Sequence, residues 1–207
     1  MEEAVLRESI VSIGASLYNR GFSVGTAGNI SARLNDGVVI ATPTNSCLGR
    51  LDPGALSVVD MNGGLVSGAK ASKETAFHLA LYRKRPDCGA VVHLHSTWLT
   101  ALSCLDNLDT ASVIRPFTPY YVMKVGHMPL IPYFRPGSPK IAEALAEHAG
   151  KANAFLLANH GPVVIGPTLA DAAAAMEELE ETAKLFFILK DFPVRYFSDE
   201  EIAELKG

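Results

Sequence analysis

Two histidines spaced two apart, His93 and His95, lie in the run Gly89 to Thr97, read GAVVHLHST, among small and β-branched residues. In an extended strand, residues i and i+2 face the same way, roughly 6 to 7 Å apart. The pair can therefore reach one metal ion from a single rigid edge. A third imidazole is available at His160 in ANHGP, after the apolar run Phe155-Leu156-Leu157 and just before Gly161, where a strand should end and the backbone turn. Three histidines with one position left open suit catalytic zinc. Taken alone, the pair is better read as ordinary strand histidines bonded to backbone carbonyls, and only the remaining motifs reverse that preference.

The elements that must position these groups follow from periodicity. Leu6, Ile10, Ile13 and Leu17 form one stripe of an amphipathic helix over residues 2–20, ended by Gly21. The glycine-rich piece Gly25 to Ser31 then enters a hairpin, Ile30 to Leu34 and Val38 to Thr42, turned by Asn35-Asp36-Gly37. It precedes a strand and not a helix, so it is neither a dinucleotide fingerprint nor a Walker loop. Gly25 and Gly28 allow close backbone approach, and Thr26, Asn29 and Ser31 supply neutral donors suited to phosphate; a plain glycine turn is the alternative. Thr42 to Ser46, with Thr44 and Asn45, is a polar loop stiffened by Pro43. A second hairpin is expected over 56–60 and 64–67.

Ser72 is placed to cap a helix running through Arg83. On it Glu74 and His78 are four apart and share a face, a spacing that can hold metal, although a carboxylate at a helix start is common for other reasons. A short helix should follow the histidine strand over 97–104. Six prolines mark 106–139 as irregular, with one strand expected near Tyr120 to Val125. A helix over 139–148, strands at 154–158 and 162–165, and a long helix from Thr168 to Lys190 come next. Thr168 and Asp171 open the long helix as a capping box, and Glu177, Glu178, Glu180 and Glu181 read as its solvated face. A short acidic helix is expected after Ser198.

The 207 residues, 48% hydrophobic and 19% charged, can bury a substantial core as one domain over 1–207, and no linker composition divides them. A net charge of -4 without a basic tract argues against nucleic-acid and anionic-membrane partners and leaves a small molecule. Cys47, Cys88 and Cys104 are odd in number and scattered, so they read as buried thiols in a reducing compartment. An acidic N-terminus and the lack of a membrane-length apolar run point to the cytoplasm.

Together GTAGNIS, TPTNS, SKETAFH, VVHLHST and ANHGPVV, in this order over Gly25 to Val164, resemble the class II aldolase/adducin family. The resemblance implies an α/β fold, a three-layer α/β/α arrangement with a mixed, mostly antiparallel central sheet. It also implies a homotetramer with active sites at subunit interfaces. It assigns one Zn2+ per subunit to His93, His95 and His160, acid/base work to Glu74, and phosphate contacts to Gly28, Asn29, Thr44, Asn45 and Ser72. Tyr120 would reach the neighbouring subunit's site. Two positions depart from the sugar-phosphate aldolases, which typically carry serine and glycine where this chain has Lys73 and Asn45. Lys73 can pair with a substrate carboxylate or phosphate, or simply face solvent. The expected reaction is decarboxylation of a 3-oxo-tetronate 4-phosphate to dihydroxyacetone phosphate, with zinc as the electron sink for the enediolate. The alternatives are an L-fuculose 1-phosphate or L-ribulose 5-phosphate aldolase or epimerase and, further off, a metal-free adducin-like interaction module.

Overall fold

The computed structural model describes residues 2–206. In chain order its elements are α1 (Glu3–Asn19), β1 (Asn29–Asn35), β2 (Val38–Ala41), β3 (Ser57–Asp60), β4 (Leu65–Ser67), α2 (Thr75–Lys84), β5 (Ala90–His93), α3 (Thr97–Ser103), α4 (Pro119–Lys124), β6 (Leu130–Ile131), α5 (Pro139–His148), β7 (Ala154–Leu157), β8 (Gly161–Gly166), α6 (Leu169–Leu189) and α7 (Asp199–Lys206). The eight strands make one sheet in the order β4-β3-β2-β1-β5-β8-β7-β6. Every pairing is antiparallel except the short parallel pair of β6 with β7.

Two-residue periodicity divides the core into two slabs. Ile30, Val92 and Val164 face one layer of helices: they pack with Leu6, Ile10 and Leu17 of α1, Leu99 of α3 and Met176 of α6. Their neighbours Val91, Val163 and Ile165 face the other way, onto Phe77 and Leu81 of α2 and Ile141 and Leu145 of α5. Because the central strands are covered on both faces, they are apolar at nearly every position. This is the three-layer α/β/α arrangement expected.

Four local expectations are corrected. Residues 119–124 form α4 and not a strand: Pro119 fits the first turn of a helix, and the buried Tyr121, Val122 and Val125 lie on one helical face. The helix after Ser72 begins at Thr75, because Ser72 Oγ accepts from Glu74 N at 3.2 Å and holds a turn ahead of it. Cys104 is exposed, whereas Cys47 and Cys88 are buried. Glu180 is buried and does not belong to a solvated face. Thr168 caps α6, with Asp171 N donating to Thr168 Oγ1 at 3.1 Å, while the Asp171 carboxylate accepts from that hydroxyl at 2.7 Å and not from the Thr168 backbone as in a full capping box.

Candidate metal centre and phosphate pocket

β5 runs between β1 and β8 at the middle of the sheet and delivers His93 as its last residue. His95 lies beyond the strand end, so the two imidazoles do not sit on one extended edge as their spacing predicts. Gly161 packs against the backbone of Leu94 where the chain leaves the ladder: a side chain at Gly161 would come within 2.4 Å of the Leu94 carbonyl oxygen. The turn still brings the rings together, with His95 Nε2 3.2 Å from His93 Nε2. His160 enters from the turn between β7 and β8, and candidate ligand atoms of the three histidines all lie within 4.8 Å of one another.

The donor set suits a divalent metal. His93 Nδ1 is 2.7 Å from the Pro162 carbonyl oxygen, which selects the Nδ1–H tautomer and leaves the Nε2 lone pair facing the other imidazoles. Burial pushes the His93 pKa down to about 3 and also lowers that of His95, so both rings stay neutral, as ligation requires. Imidazole suits zinc, copper, iron and nickel alike.

Glu74, at the N-terminus of α2, closes the cluster. Its Oε2 is 3.5 Å from His93 Nε2 and its Oε1 3.4 Å from His160 Nε2. Asn29 Nδ2 donates to Oε2 at 2.7 Å. Burial alone would raise the carboxyl pKa; the His160 hydrogen bond and the fields of His93 and His160 outweigh it, with help from Asn29, and hold the group well below the usual carboxylate range. A carboxylate so placed can act as a fourth ligand or as an acid/base. His78, one turn on, faces away from chemistry: its Nδ1 is 2.7 Å from Ser31 Oγ, which is 2.9 Å from Tyr82 Oη.

A cavity of about 480 Å³ opens above the cluster. Gly28 lines it from the loop before β1 and Asn29 from the first position of β1, Thr44 and Asn45 from the loop after β2, and Ser72, Lys73 and Glu74 from the α2 entry. His95 and His160 form part of its wall, while His93 is wholly buried behind them. Asn45 has φ 57°, a left-handed conformation that glycine and asparagine both tolerate. Tyr120 is exposed on α4 and does not line this cavity. Thr100 and Pro136, which no sequence pattern singles out, and Asn159 of the ANHGP motif also line it. Asn159, at φ 54° beside His160, carries the one readable signal, since a tight turn there brings both side chains to the same opening.

This fold and site define a class of protein: the chain belongs to the class II aldolase and adducin family, whose N-terminal domain it matches over residues 8–187. It is 61% identical over 205 residues to 3-oxo-tetronate 4-phosphate decarboxylase of Escherichia coli strain K12, covering 99% of this chain and 97% of that one. It is 35% identical over 179 residues to L-fuculose phosphate aldolase of Methanocaldococcus jannaschii, covering 86% and 94% respectively. The crystal structure of YgbL from Escherichia coli superposes with a TM-score of 0.97 at 60% identity, covering 99% of each chain.

Proposed function

We propose that this chain is a metal-dependent carbon–carbon lyase that decarboxylates a 3-oxo-tetronate 4-phosphate to dihydroxyacetone phosphate and carbon dioxide. One observation carries the reading: a buried carboxylate, Glu74, lies within 3.5 Å of two of three clustered imidazoles and lines one cavity with Lys73. The near full-length similarity to a decarboxylase supports the choice of substrate over that of the more distant aldolase relative.

A divalent ion on His93, His95 and His160, for which zinc is our choice, would supply a Lewis acid to the charge that develops on the C3 keto oxygen. The chain's own groups do the rest. Gly28, Thr44, Asn45 and Ser72 face the cavity with backbone and neutral side-chain donors and would hold the phosphate. Lys73 would pair with an anionic group of the substrate, a charged hydrogen bond worth about 1.5 to 3 kcal/mol. When the C1–C2 bond breaks, its electron pair stays at C2 and C3 while C1 leaves as carbon dioxide. Glu74, ionised at rest, would relay to C2 a proton taken from water in the open cavity, which completes the new C–H bond and leaves the carboxylate as it began, and Asn29 keeps the carboxyl aimed.

Tyr120 has no such task in its own chain, and decarboxylation produces no departing alkoxide for it to protonate. Its exposure supports a homotetramer in which it approaches a neighbour's pocket. Three free cysteines fit a reducing cytoplasm. Among the described residues, no helix is long and apolar enough to cross a membrane.

Product analysis by NMR tests the reading. Consumption of 3-oxo-tetronate 4-phosphate with release of carbon dioxide, stopped by a chelator, is the expected result. Cleavage of L-fuculose 1-phosphate or epimerisation of L-ribulose 5-phosphate, with the acid left intact, would replace it with an aldolase or epimerase assignment.

A further inference from the structure

We infer that Glu180 and Ser103 are positioning residues for the metal centre, acting through α3; the inference rests on reading His93, His95 and His160 as metal ligands. Among the described residues, His93 has a backbone carbonyl to fix its ring, whereas no protein oxygen bonds the His95 ring. The direction of His95 must therefore come from its main chain, which runs straight into α3.

That seven-residue helix is held at both ends by groups that no local motif links to one another. At its start, the first N–H groups need acceptors. Ser96 occupies the capping position but its side chain does not cap the helix. Its Oγ instead donates to Glu180 Oε2 at 2.6 Å, while Trp98 N donates to Oε1 at 2.8 Å and Leu99 N to Oε2 at 3.0 Å. A carboxylate from α6 thus takes the part of the cap. It is 7% exposed and forms no ion pair among the described residues. Burying a charge is costly, and a neutral serine cap would satisfy a helix this short. What the carboxylate adds is a three-point clamp on the segment that immediately follows His95.

At the other end, Ser103 holds the second ligand. Asn159 N donates to the Ser103 carbonyl oxygen at 2.8 Å, and His160 N donates to Ser103 Oγ at 3.1 Å. Between the ends, Thr100 Oγ1 is 3.5 Å from the His160 carbonyl oxygen. One rigid rod therefore carries His95 at its entry and the His160 backbone at its exit, and Glu180 locks the entry.

The test is zinc affinity of the metal-free protein, measured by competition with a chromophoric chelator, together with circular dichroism and the Tm of the metal-free form. Outer groups that orient ligands typically change metal affinity about 10- to 100-fold. Glu180→Gln and Ser103→Ala should keep the native spectrum and bind zinc at least about tenfold more weakly. Glu178→Gln, on the same helix, should bind as the wild type does. Should Glu180→Gln fail to fold, Ser96→Ala and Ser103→Ala decide on the same criterion. Folded variants with unchanged zinc affinity would overturn the inference and reduce α3 to a structural prop. If the wild type itself binds no divalent ion, the metal-centre reading fails, and this inference with it.

Discussion

Asn29 and Glu74 are joined by a buried hydrogen bond, Nδ2 to Oε2 at 2.7 Å, that ties the start of β1 to the entry of α2. The bond leaves Oε1 turned toward His160 and gives the carboxylate one fixed direction. Glu74→Gln retains the shape and the Asn29 contact through its amide oxygen but cannot exchange a proton. We expect kcat to fall about 10²- to 10⁴-fold, with metal content unchanged by elemental analysis. A variant that kept its kcat would remove Glu74 from the chemistry.

Dialysis against a chelator should abolish activity, and one equivalent of zinc per chain should restore it. His93→Ala should not be restored, because no other donor replaces the ring that the Pro162 carbonyl orients. Metal analysis and activity titration on the same sample check both statements.

Gly28 has φ +80°, and a Cβ there would meet the His93 carbonyl oxygen at 2.9 Å and Leu94 Cδ2 at 3.0 Å. Gly28→Ala therefore adds both backbone strain and crowding, which should cost about 2 kcal/mol. At about 2 to 4 °C per kcal/mol for a chain of this size, Tm should drop by about 4 to 8 °C. Inorganic phosphate should also bind more weakly to the variant, as read by calorimetry.

Acid should destabilise the metal-free protein through His78. Burial pushes the pKa of this ring down to about 3 from 6.5, against the opposing pull of the Glu74 charge. Below about 6.5 the unfolded chain takes up a proton that the folded chain refuses, so stability falls as pH drops toward 3 and is unaffected above 6.5. The loss approaches about 1.4 kcal/mol per pH unit. His78→Asn can keep a Ser31 contact and does not titrate, so its stability should fall less steeply. Urea midpoints from about pH 7 to pH 4 measure the slope, and parallel curves for the two proteins would contradict the assignment.

Lys73→Ser should separate the acid substrate from sugar phosphates that lack a carboxylate. Losing a charged hydrogen bond of about 1.5 to 3 kcal/mol predicts a fall of about ten- to a hundredfold in kcat/KM for the acid. The Lys73 stem lies against Gly137, where a side chain would come within 3.0 Å of Lys73 Cδ. Gly137→Ala should therefore disturb the same parameter, whereas an equal loss for every substrate would assign Lys73 to the phosphate.

Much of this arrangement is legible in the residues, for identifiable reasons. Hairpins such as 29–41 announce themselves through local turn chemistry, and helices such as α1 through a repeating stripe. The gathering of His93, His95 and His160 is readable from spacing plus motif order, although β5 ends before His95 and a turn, not a shared strand edge, unites the first two rings. α4 escapes the pattern because the continuous apolar run Tyr120 to Met123 shows neither period clearly, and only Pro119 marks a helix start. Helical spacing does set Glu180 apart from Glu177, Glu178 and Glu181, since it falls on the buried stripe of Met176, Leu179 and Ala183; its role is not readable locally, because it depends on α3, which packs against it from far away in the chain.

The strand order carries a temporal consequence. β5 sits between β1, made early, and β8, made late, so His93 at its end and His95 just beyond it wait for residues 160–166 before their surroundings exist. During synthesis at about 5 to 20 residues per second, the first two imidazoles leave the ribosome seconds before the third. A chain halted before residue 160 would expose the open edge of β5 and lack the third imidazole, so the proposed metal site would exist only in the finished sheet and not in the nascent chain.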